Sequence, residues 1–324
     1  MTGPKSKKSW QYRALNELNP DLDYLSLGLD DLVKDGVPVV AGTADLKYSN
    51  GLQLFERQHP DRFVQFGISE QHMVSAAAGM ATCGLMPFVA TFASFLGLLC
   101  CEQIRMDLGY TKLPVRLIGH HTGISLGFYG TSHHATEDIS TTRAIAGLTV
   151  ISPSDGRQLR AALRASAHWP EPIYFRIGRG RDPQVYGDDV EFTIGKGIEH
   201  SRGTDVTFIA CGALVHPALE AARRLTDEGY SVGVVDMATI KPLDAELVAA
   251  VAERSAVIIT AEEHNILGGL GSAVAEVLAE RSAGARLVRH GLRDEYSLIG
   301  PPTHLYRHYG LDADGLVSIA RQQL

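Results

Sequence analysis

Residues 66–96 read FGISEQHMVSAAAGMATCGLMPFVATFASFL, and this stretch decides the fold class. Small and apolar residues recur at helical spacing from Ser69 to Gly84, which predicts a helix. Phe88 to Phe92 is a short apolar run that predicts a buried strand, and a second helix is expected from Ser94 to Leu108. A short buried strand between two helices is typical of a mostly parallel sheet.

The same alternation of short strands and helices extends outward from this stretch in both directions. Val115 to His121 and Ile173 to Ile177 predict further strands, and residues 181–196 are rich in Pro, Gly, Tyr and acidic residues, which indicates a linker. A second series of strands and helices follows, with one strand expected from Val257 to Ala261. We therefore predict an α/β fold of two domains, each with a mostly parallel sheet flanked by helices. The predicted divisions are an N-terminal arm (1–22), a first domain (23–182), a linker (183–196) and a second domain (197–324).

The composition limits the classes of function. Of the 324 residues, 45% are hydrophobic and 21% are charged, as in an ordinary soluble globular protein. The formal net charge is -7, and the basic run Lys5, Lys7 and Lys8 is too small to indicate nucleic-acid binding. No apolar stretch approaches the roughly 20 residues that span a bilayer, and the first residues contain no secretory h-region. We therefore expect a cytoplasmic protein that binds neither nucleic acid nor membrane.

Residues 66–96 resemble the pyrimidine domain of transketolases, which are thiamine-diphosphate enzymes. The family's G-I-x-E-x motif places its glutamate at Glu70, and the resemblance implies that this carboxyl contacts the aminopyrimidine ring nitrogen and activates the cofactor. The T-F-x-x-F segment matches Phe92 and Phe95, to which the resemblance assigns stacking on the pyrimidine ring. Taken alone, Glu70 would be interpreted as an acid that complements a helix dipole, and the two phenylalanines as core residues.

The segment GTADLKYSN, residues 42–50, resembles the S-A-D-L-x-x-S-N motif at the end of the family's first strand. The resemblance implies that Asp45 lies near the cofactor and that Ser49 can hold a substrate phosphate. Turn formation is the alternative, above all for Ser49, because Asp, Ser, Asn and Gly are the usual loop residues.

The segment HHTGISLGFYGTSHHATED, residues 120–138, is similar to the transketolase loop H-D-S-I-G-V-G-E-D-G-P-T-H-Q. The match places His121 and His133 on the family's two histidines, which approach the substrate oxygens and can shuttle protons or stabilise an alkoxide. A zinc site built from these two residues with His120 and His134 is an alternative. Adjacent pairs without helical or turn spacing do not converge readily on one tetrahedral ion, so we predict no metal site in this chain.

Two departures from the family pattern concern the substrate. The family's acidic E-D pair is replaced by Phe128 and Tyr129. The aspartate of that pair recognises a hydroxyl of the sugar, so we expect Tyr129 to change the substrate specificity. Leu25 stands where an A-T-R-x-A motif has a phosphate-binding arginine. Arg179 aligns with the remaining phosphate-binding arginine and suits bidentate recognition of an anion. Solvation of the domain edge is the alternative, for Arg176 as well.

The second domain carries VVDMATIKPLDAELV at 234–248 and TAEEHNILGGLGSAVAEVL at 260–278. Both closely resemble the C-terminal domain of transketolases and 1-deoxyxylulose-5-phosphate synthases. The glycines before the predicted last helix of this motif could form a phosphate loop, but one Gly-rich turn is weak evidence, and we assign it a structural role. The role of His264 is open.

A complete transketolase has a further N-terminal domain, whose G-D-G motif and asparagine bind magnesium and the cofactor's diphosphate. This chain has no such motif pair. The resemblance therefore implies a separate N-terminal, diphosphate-binding subunit that supplies the Mg2+ ligands, and an α2β2-like assembly with active sites at the interfaces.

The resemblance predicts transfer of a two-carbon ketol unit from a ketose donor to an acceptor through a thiamine-diphosphate adduct, with non-standard substrate specificity. The alternative is the beta subunit of a 2-oxo acid dehydrogenase-like enzyme, which passes an acyl or ketol unit to a lipoyl or carrier group. A noncatalytic subunit is a third hypothesis, which the joint presence of the matched acid, aromatics and histidines argues against.

Overall fold

The computed structural model describes residues 23–180, 182–281 and 284–324. The arm predicted over residues 1–22 lies outside the described residues. Within them, no helix combines the length and the apolar character needed to cross a membrane.

The first domain alternates strands and helices as the sequence predicts. Its main elements are α1 Asp23–Lys34, β1 Val39–Thr43, α2 Gln53–Gln58, β2 Phe63–Gln65, α3 Glu70–Thr82, β3 Met86–Phe92, β4 Arg116–His120, α4 Asp138–Ala144, β5 Thr149–Ile151, α5 Gly156–Ser166 and β6 Ile173–Ile177.

The second domain repeats this alternation. Its main elements are β7 Ile198–Ser201, β8 Val206–Ala210, α6 Val215–Asp227, β9 Val232–Asp236, β10 Thr239–Lys241, α7 Ala245–Arg254, β11 Val257–Asn265, α8 Leu270–Glu280, β12 Arg286–Leu292, α9 Pro302–His308 and α10 Ala313–Arg321.

The described strands form two sheets, and the predicted fold class is confirmed. The first sheet has the strand order β10-β5-β6-β4-β3-β1-β2, and the second has the order β12-β11-β8-β9-β7. Strands β1 to β6 pair in parallel, and so do β8, β9, β11 and β12. The edge strands β10 and β7 run antiparallel to their neighbours. Strand β10 belongs in sequence to the second domain but extends the first sheet, which the sequence pattern did not predict.

The register of the first sheet positions the site. Phe92 at the end of β3 is paired with His120 at the end of β4, and His120 is paired with Ile177 at the end of β6. The carboxyl ends of three neighbouring strands therefore lie side by side. In parallel sheets, ligands bind in the crevice outside these ends.

The two domains share one apolar core. Buried Val150 and Tyr174 of the first sheet belong to the same cluster as Ile209 and Val235 of the second sheet. Burial of such side chains contributes about 1.5–3 kcal/mol each relative to full exposure. The domains are therefore held against each other by continuous packing as well as by the shared strand.

The predicted helix from Ser94 to Leu108 is present but irregular. It contains π-helical turns at Phe95–Leu99 and Ile104–Tyr110, which the sequence pattern did not predict. The first of these turns packs closely against α4, since a Cβ atom on Gly97 would lie 2.8 Å from the Cβ atom of Asp138. Single π-helical turns occur frequently at functional sites.

The predicted linker contains no helix or strand among its described residues, and a buried carboxylate attaches it to the first domain. Asp155 caps α5 by accepting a hydrogen bond from the Gln158 amide at 2.8 Å. Its other oxygen accepts from the amides of Val185 and Tyr186, at 2.7 and 2.8 Å. One carboxylate thus starts a helix and fixes the path of the connection to the second domain.

Candidate functional site

An aromatic cluster lies at the carboxyl ends of β3 and β4. The rings of Phe92 and Phe95 meet edge to face, with their centroids 5.6 Å apart. Phe92 also contacts His121 at 5.3 Å and His133 at 5.4 Å, and Phe95 lies 5.2 Å from His133. The structure therefore brings together two phenylalanines and two histidines that the resemblance selected. Both phenylalanines are half-buried, which leaves ring surface for a ligand.

Glu70 lies in the first turn of α3 and reaches the strand that carries Phe92. Its Oε1 accepts from the Thr91 hydroxyl at 3.5 Å, and Thr91 immediately precedes Phe92 on β3. Ser69 precedes the helix but does not cap it, because its hydroxyl donates to the Phe66 carbonyl instead. A carboxylate in a first turn is stabilised by the helix dipole, so the structure is compatible with both interpretations of Glu70.

His120 and His121 form a directly bonded pair at the end of β4. Their Nδ1 atoms lie 2.6 Å apart, and His121 has a positive φ of 58°, which turns its side chain out of the strand alternation. Burial lowers the pKa of His120 to about 3, so this imidazole is neutral at neutral pH. Its Nε2 has no hydrogen-bond partner among the described residues. The sequence offered one signal for this pair, the adjacent histidines at a predicted strand end.

His133 lies across the cluster from His121, on the loop that follows β4. Its Nδ1 lies 2.9 Å from the Ser132 hydroxyl, and partial burial lowers its pKa. The Tyr129 ring lies 4.9 Å from the His133 ring. Tyr129 is 61% exposed and its neighbour Phe128 is 66% exposed, so both rings are accessible from the surface. Tyr129, which replaces the aspartate of the family pattern, therefore packs directly against a candidate catalytic histidine.

Asp45 and Ser49 lie farther away, on the loop after β1. Strand β3 separates β1 from β4, so one strand lies between this loop and His121. Thr43 at the end of β1 donates to the Ala90 carbonyl of β3 at 2.8 Å, which ties the loop to the strand that carries Phe92. Asp45 is exposed and has a φ of 59°. The roles of Asp45 and Ser49 stay predictions.

Arg179 lies on the domain boundary. It lines a cavity of about 510 Å³ together with Ser125 of the first domain and His216, Tyr306 and Arg307 of the second. The His121 amide donates to the Gly178 carbonyl at 3.4 Å, so Arg179 directly follows a residue that contacts the histidine pair. Its proposed role in binding an anion stays a prediction.

Arg176 is a buried structural residue and does not solvate the domain edge. Its guanidinium forms an ion pair with Asp138 at 3.0 Å, and both side chains are almost fully buried. Asp138 also accepts from the Tyr174 hydroxyl at 2.7 Å, and Arg176 donates to the carbonyls of Ala135 and Glu263. Arg176 is therefore unsuited to capture a substrate phosphate.

The Gly-rich turn before α8 holds an anion of the protein itself. The two carboxylate oxygens of Glu262 accept from the amides of Leu270 and Gly271, at 2.7 and 2.8 Å. These are the amides that a phosphate loop would present, and this geometry agrees with the structural role assigned to the turn. Among residues 23–180, 182–281 and 284–324, no group of three His, Cys, Asp or Glu side chains is arranged to hold a metal ion.

The chain matches two family models, and they cover most of its length. The transketolase pyrimidine binding domain matches residues 23–183, and the transketolase C-terminal domain matches residues 195–316. The chain belongs to the transketolase family. Members of this family transfer ketol units and depend on thiamine diphosphate.

Within the transketolase family, the relatives include subunits of split enzymes. A subunit of the apulose-4-phosphate transketolase of Phocaeicola vulgatus is 38% identical over 291 residues, which are 90% of this chain and 93% of the relative. A 6-deoxy-6-sulfo-D-fructose transketolase subunit of a Clostridium species is 36% identical over 299 residues, 92% of each chain. A solved structure of a split gene transketolase, an inactive beta4 tetramer, has a TM-score of 0.85 and 37% identity, covering 94% of this chain and 97% of that one. This transketolase chain is thus of the split, C-terminal subunit type that the sequence predicted.

Proposed function

We propose that this chain is the pyrimidine-binding subunit of a two-subunit transketolase whose substrate is not an ordinary sugar phosphate. The observation that carries the proposal is the cluster of Phe92, Phe95, His121 and His133 beside Glu70. An apolar aromatic surface, an acid and two histidines near one sheet edge are the groups that the resemblance assigns to a pyrimidine-binding subunit, and they suit cofactor binding and proton transfer.

The residues present fit the aminopyrimidine part of thiamine diphosphate. Half-buried Phe92 and Phe95 offer apolar ring surface for a flat heterocycle, and the adjacent Glu70 offers a carboxyl to a ring nitrogen. When bound, thiamine diphosphate supplies the nucleophilic carbon that carries the two-carbon unit. Glu70 would orient the ring and hold a proton at its nitrogen. We propose that Asp45, on the loop tied to β3, borders the same space.

The two histidines are proposed to act on the substrate oxygens. His121 uses Nδ1 in its bond to His120, so Nε2 is the atom through which it would exchange a proton. His133 has a lowered pKa, because it is partly buried, and is therefore neutral and able to accept a proton at neutral pH. The pair would move protons at the hydroxyl and carbonyl oxygens of the sugar.

The substrate is proposed to differ from ordinary sugar phosphates because two recognition groups have changed. Tyr129 replaces the family's aspartate, and it packs against His133. Leu25 replaces a phosphate-binding arginine, and it is 1% exposed, within the core. Arg179 and Ser49 remain as candidate anion ligands. The names of two relatives specify apulose 4-phosphate and 6-deoxy-6-sulfo-D-fructose, and this chain is proposed to take a similarly unusual anionic ketose.

The proposal requires a partner with the diphosphate site and Mg2+ ligands. Apolar side chains are exposed next to Glu70: Ile68 is 83% exposed and Leu99 is 56% exposed. Large exposed apolar groups around a site indicate a surface that another chain covers. We propose that the N-terminal subunit packs there, in an α2β2-like assembly.

Reconstitution tests this function. The chain is purified alone and with the separately encoded diphosphate-binding subunit, and each sample receives thiamine diphosphate, Mg2+ and a panel of ketoses and 2-oxo acids. We expect ketose cleavage and ketol transfer only with both subunits. Turnover by this chain alone would refute the partner requirement. Decarboxylation of 2-oxo acids without ketose turnover would replace the proposal with the dehydrogenase-like alternative.

A further inference from the structure

The loop that carries both candidate catalytic histidines is bonded to the second domain along its length. We define the histidine loop as residues 121–137, between β4 and α4. The sequence predicts that strand β11 ends at Ala261, but the strand continues to Asn265, which brings Glu263 and His264 to the domain boundary.

Glu263 holds the first part of the histidine loop. Its Oε1 accepts from the Ile124 amide at 2.7 Å and from the Tyr306 hydroxyl at 2.6 Å. Gly123 has a φ of 56°, and a Cβ atom there would lie 2.2 Å from the Glu263 carboxyl carbon. This glycine therefore permits a buried carboxylate to approach the backbone close to His121.

His264 holds the end of the loop, where α4 begins. Its Nε2 accepts from the amides of Ile139 and Ser140, at 3.2 and 3.4 Å. Its Nδ1 donates to the Asn265 carbonyl at 2.6 Å, which assigns the proton of the neutral ring to Nδ1. Burial lowers the pKa of His264 to about 4, so the ring keeps this neutral form at neutral pH. An imidazole of one domain thus caps a helix of the other.

Three more bonds lie between these two ends. The Asn265 amide donates to the Thr136 carbonyl at 2.9 Å, and the Gly300 amide donates to the Gly127 carbonyl at 3.0 Å. The Ser297 hydroxyl lies 2.5 Å from Nδ1 of His134. The second domain therefore contacts the loop on both sides of His133, while the His133 ring faces the aromatic cluster.

We infer that Glu263 and His264 are positioning residues, which set the places of His121 and His133 for catalysis. The second domain then contributes to the active site by fixing the loop that carries the candidate catalytic histidines. The inference rests on the proposed function. A displacement of about 1 Å in a catalytic group can reduce turnover by about 100-fold, so bonds that fix a loop in this way affect the rate directly.

A matched pair of variants tests the inference. Glu263→Ala and Glu262→Ala each remove a buried carboxylate that accepts two hydrogen bonds, and the two residues are adjacent on the same strand. Of the two, Glu263 contacts the histidine loop and Glu262 holds the turn before α8. In the isolated chain, we expect Glu263→Ala to accelerate hydrogen exchange of amides 122–136 by about tenfold or more, and Glu262→Ala to leave that segment protected.

In the reconstituted enzyme, Glu263→Ala should lower kcat by about 10- to 100-fold and shift its pH profile, with cofactor affinity retained. Glu263→Gln keeps an acceptor oxygen and should restore most of kcat. His264→Gln should loosen the other end of the loop and accelerate its hydrogen exchange. If Glu263→Ala fails to fold, the His264→Gln exchange pattern decides the question. The inference would be overturned if the variants at 262, 263 and 264 did not differ from one another in hydrogen exchange of amides 122–136 or in kcat. Because exchange needs no turnover, an inactive wild-type complex would count against the proposed function alone.

Discussion

The imidazole rings of His120 and His121 are joined through their Nδ1 atoms, 2.6 Å apart, at the end of the strand that meets Phe92. One ring must donate and the other accept. Because His120 is fully buried and neutral, it fixes the orientation of His121 without adding a charge. Both rings contact Phe92, with centroids 4.9 Å away for His120 and 5.3 Å away for His121, so His120 supports His121 within the cluster itself.

The replacement His120→Phe keeps a ring of similar width and removes Nδ1. We expect kcat of the reconstituted enzyme to fall by about 10- to 100-fold and its pH profile to shift, since His121 loses the partner that fixes its tautomer. Steady-state kinetics across the range from acidic to alkaline pH measure both effects. The exposed His168 provides the control variant His168→Phe. An unchanged pH profile in His120→Phe would show that the pair has no role in turnover.

Removal of the Glu70 carboxyl tests cofactor activation. We expect Glu70→Ala to reduce turnover by about 100- to 10,000-fold in the reconstituted complex, because general acid-base groups contribute on this scale. The near-isosteric Glu70→Gln should be similarly impaired, since it keeps the shape and loses the exchangeable proton. Exposed Glu253→Gln on α7 is the control. Turnover at the wild-type rate in both Glu70 variants would eliminate the proposed role.

The resemblance selected Glu70, Phe92 and Phe95 because its motifs are local in sequence. The structure places Glu70 at the start of α3, Phe92 at the end of β3 and Phe95 in the turn that follows. The π-helical turn at Phe95–Leu99 was not predictable in this way, and it packs against α4, which comes about 40 residues later in the chain. Local propensity does not encode contacts with a later element.

The inter-domain part of the site was missed for a related reason. The Glu263 bond to Ile124 joins residues 139 positions apart, and the contact between His134 and Ser297 joins residues 163 positions apart. No periodicity reports such pairs. One signal for these contacts was available in the sequence. Residues 262–264 are two acids and a histidine that continue an apolar strand, and buried polar groups require hydrogen-bond partners elsewhere in the fold.

Substrate preference should respond to Tyr129. Tyr129→Asp restores the family's carboxylate and removes the ring that packs on His133. We expect relative kcat/KM to shift toward ordinary ketose phosphates by about tenfold or more, because a carboxylate accepts a hydrogen bond from a sugar hydroxyl. Tyr129→Phe is the control, since it keeps the ring and removes only the hydroxyl. Parallel losses for all sugars in Tyr129→Asp would mean that this position does not set specificity.

A buried carboxyl remote from the site should contribute to the pH dependence of stability. Burial raises the pKa of Asp236 from its ordinary value of 3.8 to about 6, despite hydrogen bonds from Tyr186 and Gln158, and Asp155 adds to the increase. Compared with the unfolded chain, the folded chain favours the protonated form of Asp236. The resulting contribution to stability is complete below pH 3.8 and is lost as the pH rises through 6. The asparagine side chain does not titrate. The free energy of unfolding of Asp236→Asn should therefore rise by about 3 kcal/mol relative to that of wild type as the pH increases from about 4 to 7. Urea unfolding across this range measures the difference, with the exposed Asp294→Asn as control. Parallel stability curves for wild type and Asp236→Asn would contradict the raised pKa.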